Sequence, residues 1–128
     1  MSRTRDPAGE PPRRVEKPWG HELIWARTDR YVGKVIHVRA GHALSLQYHE
    51  RKEETILLWR GRLHFELGTG DNGQTWEMQP GECVHITPGV VHRMTAMEDS
   101  DLFEVSTPEL DDVVRLDDRY GRTGTSDP

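Results

Sequence analysis

The sequence contains a single cysteine, Cys83, in 128 residues. One thiol closes no intramolecular disulfide, so nothing points to an oxidising compartment, and Cys83 reads as a small, half-buried strand residue. Long apolar runs are missing as well. The longest, Leu23-Ile24-Trp25-Ala26 and Ile56-Leu57-Leu58-Trp59, fall far short of the roughly 18 residues that a membrane span requires. The basic first residues are followed by no apolar stretch of the kind a secretory signal carries, and the expectation is a cytoplasmic protein without membrane contact. Positive charge is not in excess: 17 Lys and Arg against 22 Asp and Glu give a net charge of -5. The two signs are interspersed, which argues against nucleic acid as a partner. Aromatics make up only 7%. The four tryptophans, Trp19, Trp25, Trp59 and Trp76, are expected in the core or a dimer interface rather than in a site.

What remains is a chain long enough for one domain. Residues 1–14 and 123–128 are polar and lack an apolar anchor, so both read as flexible tails around a folded unit at 15–122. Within that unit apolar residues recur every second position between Gly, Pro and Asn turn signals, the pattern of an all-β protein. Strands are expected near 21–26, 31–39, 43–49, 54–60, 62–67, 74–78, 83–86, 91–97 and 101–106. Gly68 to Gly73 reads as a hairpin loop in which Asn72-Gly73 supplies positive φ. Leu110 to Tyr120 is the one stretch that suits a short helix, with Asp111 and Asp112 in its first turn. Many short alternating strands fit a sandwich or a barrel.

Polar parity narrows the reading. Gln47 and His49 lie two apart in an expected strand and share a face. Glu54 opens the next strand across a short charged turn, and His92 follows the turn at Pro88-Gly89. An amide oxygen, two imidazoles and a carboxylate suit a borderline divalent cation: zinc foremost, or manganese, iron, cobalt or nickel. On these residues alone, half-exposed strand side chains with ordinary hydrogen bonds are the favoured reading, since isolated histidines are seldom ligands.

The spacing decides between them. Gly41-HALSL-Gln47-Tyr48-His49-ERKE-Glu54-TILLWR-Gly61 resembles the first motif of the cupin superfamily, G-x5-H-x-H-x4-E-x6-G, with glutamine for its first histidine. Gly81-ECVHI-Thr87-Pro88-Gly89-Val90-Val91-His92 resembles the second, G-x5-P-x-G-x2-H, with threonine at the proline. The resemblance implies a single-domain cupin, a double-stranded β-helix or jelly-roll barrel with a short C-terminal helix or extension. It also implies one divalent metal held by Gln47, His49, Glu54 and His92. The motif glycines are expected at tight turns with positive φ.

From Glu16 to Arg122 the chain is similar to the type II mannose-6-phosphate isomerase family, whose cupin domain also ends bifunctional mannose-1-phosphate guanylyltransferases. Lys17-Pro18-Trp19-Gly20, Leu44-Ser45-Leu46-Gln47-Tyr48-His49 and Asp118-Arg119-Tyr120-Gly121-Arg122 carry this likeness, and in that family the glutamine at Gln47 is usual. Nothing before residue 15 reads as a nucleotide-binding half, so nucleotidyl transfer is not expected. The resemblance implies interconversion of a phosphorylated aldose and ketose by a homodimer, with a sugar phosphate as partner. Glu104, sharing a face with Leu102 and Ser106, corresponds to a family glutamate and is the expected base. Lys34 shares parity with Ile36 and Val38 and is expected to reach a substrate oxygen. Arg51, Arg93 and Arg115 are the expected phosphate contacts, Arg51 foremost. A non-catalytic, sugar-binding or regulatory cupin and a cupin oxygenase are the alternatives.

Overall fold

The computed structural model describes residues 11–125. Twelve strands form two antiparallel sheets of six. The first sheet holds β1 (Arg13–Lys17), β2 (Gly20–Arg27), β3 (Val32–Val38), β10 (Ser100–Ser106), β5 (Glu54–Arg60) and β8 (Cys83–Ile86), in that spatial order. The second holds β12 (Gly124–Thr125), β11 (Val114–Asp117), β4 (Leu46–Tyr48), β9 (His92–Ala96), β6 (Leu63–Leu67) and β7 (Gln74–Met78). Neighbouring strands often come from distant parts of the chain, as where β10 lies between β3 and β5. That is the jelly-roll arrangement in which two sheets close around one interior.

Alternation builds the interior. Along β3, Val32, Lys34, Ile36 and Val38 are buried; along β5, Glu54, Ile56 and Leu58; along β10, Ser100, Leu102, Glu104 and Ser106. One end of the barrel is packed with Ile36, Val38, Leu58, Leu63, Phe65, Met78 and Leu102. Each of the larger side chains contributes roughly 1.5–3 kcal/mol by leaving water. A step or two along the same strands the inward residues become ionisable, at Lys34, Glu54 and Glu104. The apolar end therefore fixes the positions of side chains that could not order themselves.

The four motif glycines, Gly41, Gly61, Gly81 and Gly89, have φ of 83°, 98°, 94° and 85°. At Gly61, between β5 and β6, space demands glycine as well: an added Cβ would lie 2.3 Å from Ser100 Oγ and 2.5 Å from the Asp99 carbonyl oxygen. In the β6–β7 loop the positive φ falls at Gly68 and Gly70, while Gly73 has φ -70°. A short 3-10 turn over Gly70–Asn72 fills that loop.

Several expectations are corrected. No helix forms over Leu110 to Tyr120; this stretch contains β11, with Val114 opposite Tyr48 and Arg115 opposite Gln47. Val113 and Arg115 are buried two apart, a strand period, and β11 covers an edge of β4 that would otherwise be unpaired. Arg13 and Arg14, placed in the expected N-terminal tail, pair with β2, and Gly124–Thr125 pairs with β11. The expected tails at 1–10 and 126–128 lie outside the described residues. Cys83 is exposed, not half-buried, because on edge strand β8 the inward positions belong to Val84 and Ile86.

The outer face of the first sheet carries an apolar row, bordered on one side by His21, His37 and Asp101. Register aligns Leu23, Val35, Phe103, Leu57 and Cys83 across five strands. Trp59 stands edge-on to Phe103 with ring centroids 5.7 Å apart, and Trp25 lies over Gly33. Trp25 and Trp59 are 53% and 61% exposed, whereas Trp19 is buried and Trp76 packs on Phe65. No helix among the described residues is long and apolar enough to cross a membrane.

Candidate metal centre

His49 follows β4, Glu54 opens β5 and His92 opens β9, and all three side chains are buried. Their ligand atoms lie within 4.8 Å of one another. Glu54 Oε2 is 2.8 Å from His49 Nε2 and 3.4 Å from His92 Nε2. Donors about 2.0–2.1 Å from a zinc ion sit roughly 3.3 Å apart when tetrahedral, so these spacings suit a cation between them.

The surroundings set the tautomers. His49 Nδ1 lies 2.6 Å from the Asp112 carbonyl oxygen, and His92 Nδ1 lies 2.9 Å from that of Val90. A carbonyl only accepts, so each Nδ1 carries the proton and each Nε2 presents a lone pair to the interior. His49 Nε2 and Glu54 Oε2 are buried without a hydrogen-bond partner. An imidazole nitrogen and a carboxylate oxygen buried 2.8 Å apart repel unless a proton or a metal cation sits between them, and this demand for positive charge at the centre of the cluster is the observation by which the residues fit a divalent metal.

Gln47 lines the same cavity, directly opposite His92 in the β4–β9 pairing. Its Oε1 accepts a hydrogen bond from the buried Ser45 hydroxyl at 2.6 Å. Asp112 holds the ligand loop: its carboxylate accepts the backbone N–H groups of Glu50, Arg51 and Lys52 at 3.0, 2.7 and 2.9 Å. Burial would raise the Asp112 carboxyl, but these three donors outweigh it and hold the group below its ordinary range.

A chain of buried charges leads away from the cluster. Lys52 Nζ is 3.6 Å from Glu54 Oε1 and 3.0 Å from Glu104 Oε2; Lys34 Nζ is 3.9 Å from Glu104 Oε2 and 3.0 Å from Glu22 Oε1. Buried charges persist only when paired, and here the signs alternate. Burial pulls the Lys52 ammonium down, yet Glu104 and Glu54 overcome it and hold Lys52 above its usual value. Burial acts against Glu54 too, but Lys52 and the two histidines hold it well below the carboxylate range. For Glu104 burial and the Glu54 charge prevail over Lys52 and Lys34, and its carboxyl is raised. Of the two carboxylates, Glu104 is the better proton acceptor.

The expected arginines separate. Arg115 lines the cavity, 7% exposed, its Nε and Nη1 buried without hydrogen-bond partners. Arg93 alternates with His92 along β9 and so points outward, to Glu66 at 2.9 Å and Asp117 at 3.1 Å. Arg51 is exposed beside the Asp112 turn and does not line the cavity. Glu104 and Lys34 do line it, and so do Lys52 and Glu22, which sequence reasoning missed, as it missed the bracing of the ligand loop by Asp112.

Two facing sheets around a buried His-Glu-His cluster are the mark of a cupin, and the cupin domain profile matches residues 34–106, so the chain belongs to that family. Among curated proteins it is similar to mannose-1-phosphate guanylyltransferase ManC of Salmonella typhimurium, 34% identical over 115 residues that make up 86% of this chain and 23% of that one. It is also similar to xanthan biosynthesis protein XanB of Xanthomonas campestris, 32% identical over 116 residues, 87% of this chain and 24% of that one. The chain thus spans about a quarter of the length of these relatives. Solved structures with the same fold include KdgF from Halomonas sp., with a TM-score of 0.66 at 20% identity over 75% of this chain and 87% of that one. A second is Bacillus subtilis oxalate decarboxylase, described by its Mn(II) centres, with a TM-score of 0.69 at 17% identity over 80% of this chain and 29% of that one.

Proposed function

We propose that the chain is a metal-dependent isomerase that interconverts a phosphorylated aldose and ketose of the mannose 6-phosphate and fructose 6-phosphate kind. The observation that carries this reading is a paired, buried carboxylate of raised basicity, Glu104, set beside a metal cluster and two lysines in one cavity. The relatives' names add mannose-1-phosphate chemistry, which supports a phosphorylated hexose as partner.

His49, Glu54 and His92 would hold the divalent ion, zinc foremost, with Gln47 as fourth ligand. Bound there, the ion supplies polarisation of the adjacent carbonyl and hydroxyl oxygens at C1 and C2. Glu104 takes the proton from C2 of the aldose, and the C–H electron pair forms the C1–C2 double bond. Lys52 gives a proton to O1 as its carbonyl bond opens and regains one from O2 as the ketone forms. Glu104 then returns its proton to C1, so atoms and charge balance. Lys34 holds a neighbouring hydroxyl and, through Glu22, keeps the cavity's charges paired.

The reading includes a cytoplasmic homodimer joined through the outer face of the first sheet. Its support is the apolar row from Leu23 to Cys83 flanked by Trp25 and Trp59, which isolated monomers seldom expose.

The test is turnover of mannose 6-phosphate by metal-loaded protein. Glu104→Gln is expected to keep the metal and lower kcat by roughly 10²-fold or more, while His49→Ala and His92→Ala lose both metal and turnover. A metal-replete wild type with no turnover on any hexose or pentose phosphate would leave a non-catalytic, sugar-binding cupin. Consumption of O2 would point to an oxygenase.

A further inference from the structure

The cavity around the metal cluster has one wall of a different kind from the rest. Glu54, His92 and Glu104 reach it from β5, β9 and β10, while Leu110, Val113 and Arg115 reach it from the chain that follows β10. This segment, 108–125, crosses the cavity as a strap, and apolar burial holds it weakly. Leu110 packs in a small satellite cluster with Ile24 and Val32, Tyr120 touches the main core only as a partly buried neighbour, and Leu116 is exposed.

Polar contacts fasten the strap at two points. At the first, the Asp112 carboxylate accepts the N–H groups of Glu50, Arg51 and Lys52, and the Asp112 carbonyl accepts His49 Nδ1–H at 2.6 Å. At the second, the Tyr120 hydroxyl and His42 Nδ1 are hydrogen-bonded at 2.7 Å, and Arg119 Nη1 donates to the Gly41 carbonyl at 3.0 Å. Between them β11 pairs with β4 across a register shift at Arg115 to Asp117. The Asp118 carboxylate accepts the backbone N–H groups of Tyr120 and Arg122 at 3.3 and 2.8 Å, which folds the far end on itself as one body. A segment with few buried apolar contacts opens locally at far lower cost than the core.

Access supplies the reason to open. His49, Glu54 and His92 are all buried, and of the residues lining the cavity only Lys17, Gln47 and Arg122 are not. A metal ion or a ligand reaches the cluster when a wall gives way, and the walls other than the strap are built into the main core. We propose that the strap is a gate over the metal centre, opening as a unit to exchange metal and ligand and closing when metal is bound. The coupling runs through Asp112. Opening breaks the bond that holds the His49 ring with Nε2 toward the cluster, and metal on Nε2 makes Nδ1–H the stronger donor to the Asp112 carbonyl. By linkage, metal binding and closure favour each other to the same extent. The gate requires the metal centre and holds whether the chain isomerises a sugar or only binds one.

The experiment follows amide hydrogen exchange by mass spectrometry, and zinc release to excess chelator, in the full chain. Zinc content is read first, and a chain that takes up no zinc overturns the metal centre and the gate together. In metal-stripped wild type the amides of 113–117 are expected to exchange at least roughly 10-fold faster than those of β5 and β10, and zinc is expected to slow them by a similar factor. Equal rates in strap and core, or strap exchange that zinc leaves unchanged, overturn the proposal. Arg119→Ala combined with Tyr120→Phe removes the second fastening without altering a cavity-lining residue. It is expected to speed strap exchange and zinc release alike, by roughly 10-fold. Faster strap exchange with zinc release at the wild-type rate, or no change in either, overturns the gate. Gly61→Ala separates gating from general loosening, since it disturbs the turn after β5 and not the strap: it is expected to release zinc at the wild-type rate, and release as fast as from the strap variant overturns the proposal. Should the double variant not fold, Tyr120→Phe alone is read in the same way, with an expected rise of roughly 3- to 5-fold in both rates.

Discussion

At the residue scale the two histidines matter less for being histidines than for what their Nδ1 atoms touch. Backbone carbonyls of Asp112 and Val90 fix which nitrogen is bare. The Asp112 carboxylate fixes the loop that carries His49, Lys52 and the approach to Glu54. Asp112→Asn removes its charge, and metal affinity is expected to fall by about 10- to 100-fold, the range for groups that orient ligands, as measured by competition with a chelator. Because the folded Asp112 carboxyl is held low, its contribution to stability is present above its unfolded value near about 3.9 and is lost as pH falls through the lower folded value. The melting temperatures of wild type and Asp112→Asn should therefore differ at pH 7 and converge toward pH 3. An equal gap at both would show that the charge is not what Asp112 contributes. Sequence made His49, Glu54 and His92 legible through the resemblance of their spacing to the two cupin motifs. Lys52 shares parity with Glu54, but amid Glu50, Arg51 and Glu53 it reads as one more charge of a solvated turn. Only the structure, in which Lys52 alone of that turn is buried and points inward, reveals otherwise.

At the scale of elements, period-two alternation disclosed the strands that contribute to both the core and the site, β2 through β10, because one face of each is buried. The strands it missed are β1 and β12, at the sheet edges, and β11, next to an edge, where pairing partners rather than side-chain pattern decide the conformation. Val113-Val114 in a segment with two aspartates can read as a helix start, yet the open edge of β4 takes it as a strand, and that choice brings Arg115 into the cavity. Turns carry the complementary lesson. Gly61→Ala would force a side chain into left-handed backbone and against Ser100 and Asp99, so a loss of about 2 kcal/mol or more is expected in denaturant unfolding. Metal content should be unchanged, since Gly61 lies past the far end of β5 from Glu54. Loss of metal in a folded Gly61→Ala would mean that the two ends of the barrel are not independent.

For the whole molecule, an apolar face and a charged cavity belong to one architecture: the first sheet turns Leu57 and Phe103 outward and Ile56, Leu102 and Glu104 inward. If the outward row is a dimer contact, light scattering should give twice the 14.7 kDa chain mass, and Trp59→Glu combined with Phe103→Asp should give the single mass with the metal retained. A wild-type monomer at micromolar concentration would remove that contact from the reading. The central claim, that the metal cluster and Glu104 act together on a sugar phosphate, is tested most directly by NMR of mannose 6-phosphate with the protein in D2O. Metal-loaded wild type is expected to form fructose 6-phosphate and to place deuterium at C1, because a carboxylate that carries the proton exchanges it in part with solvent. Metal-stripped protein and Glu104→Gln should do so at least roughly 10²-fold more slowly. Conversion and deuterium incorporation at the wild-type rate in either sample, or none in the metal-loaded wild type, would contradict the account.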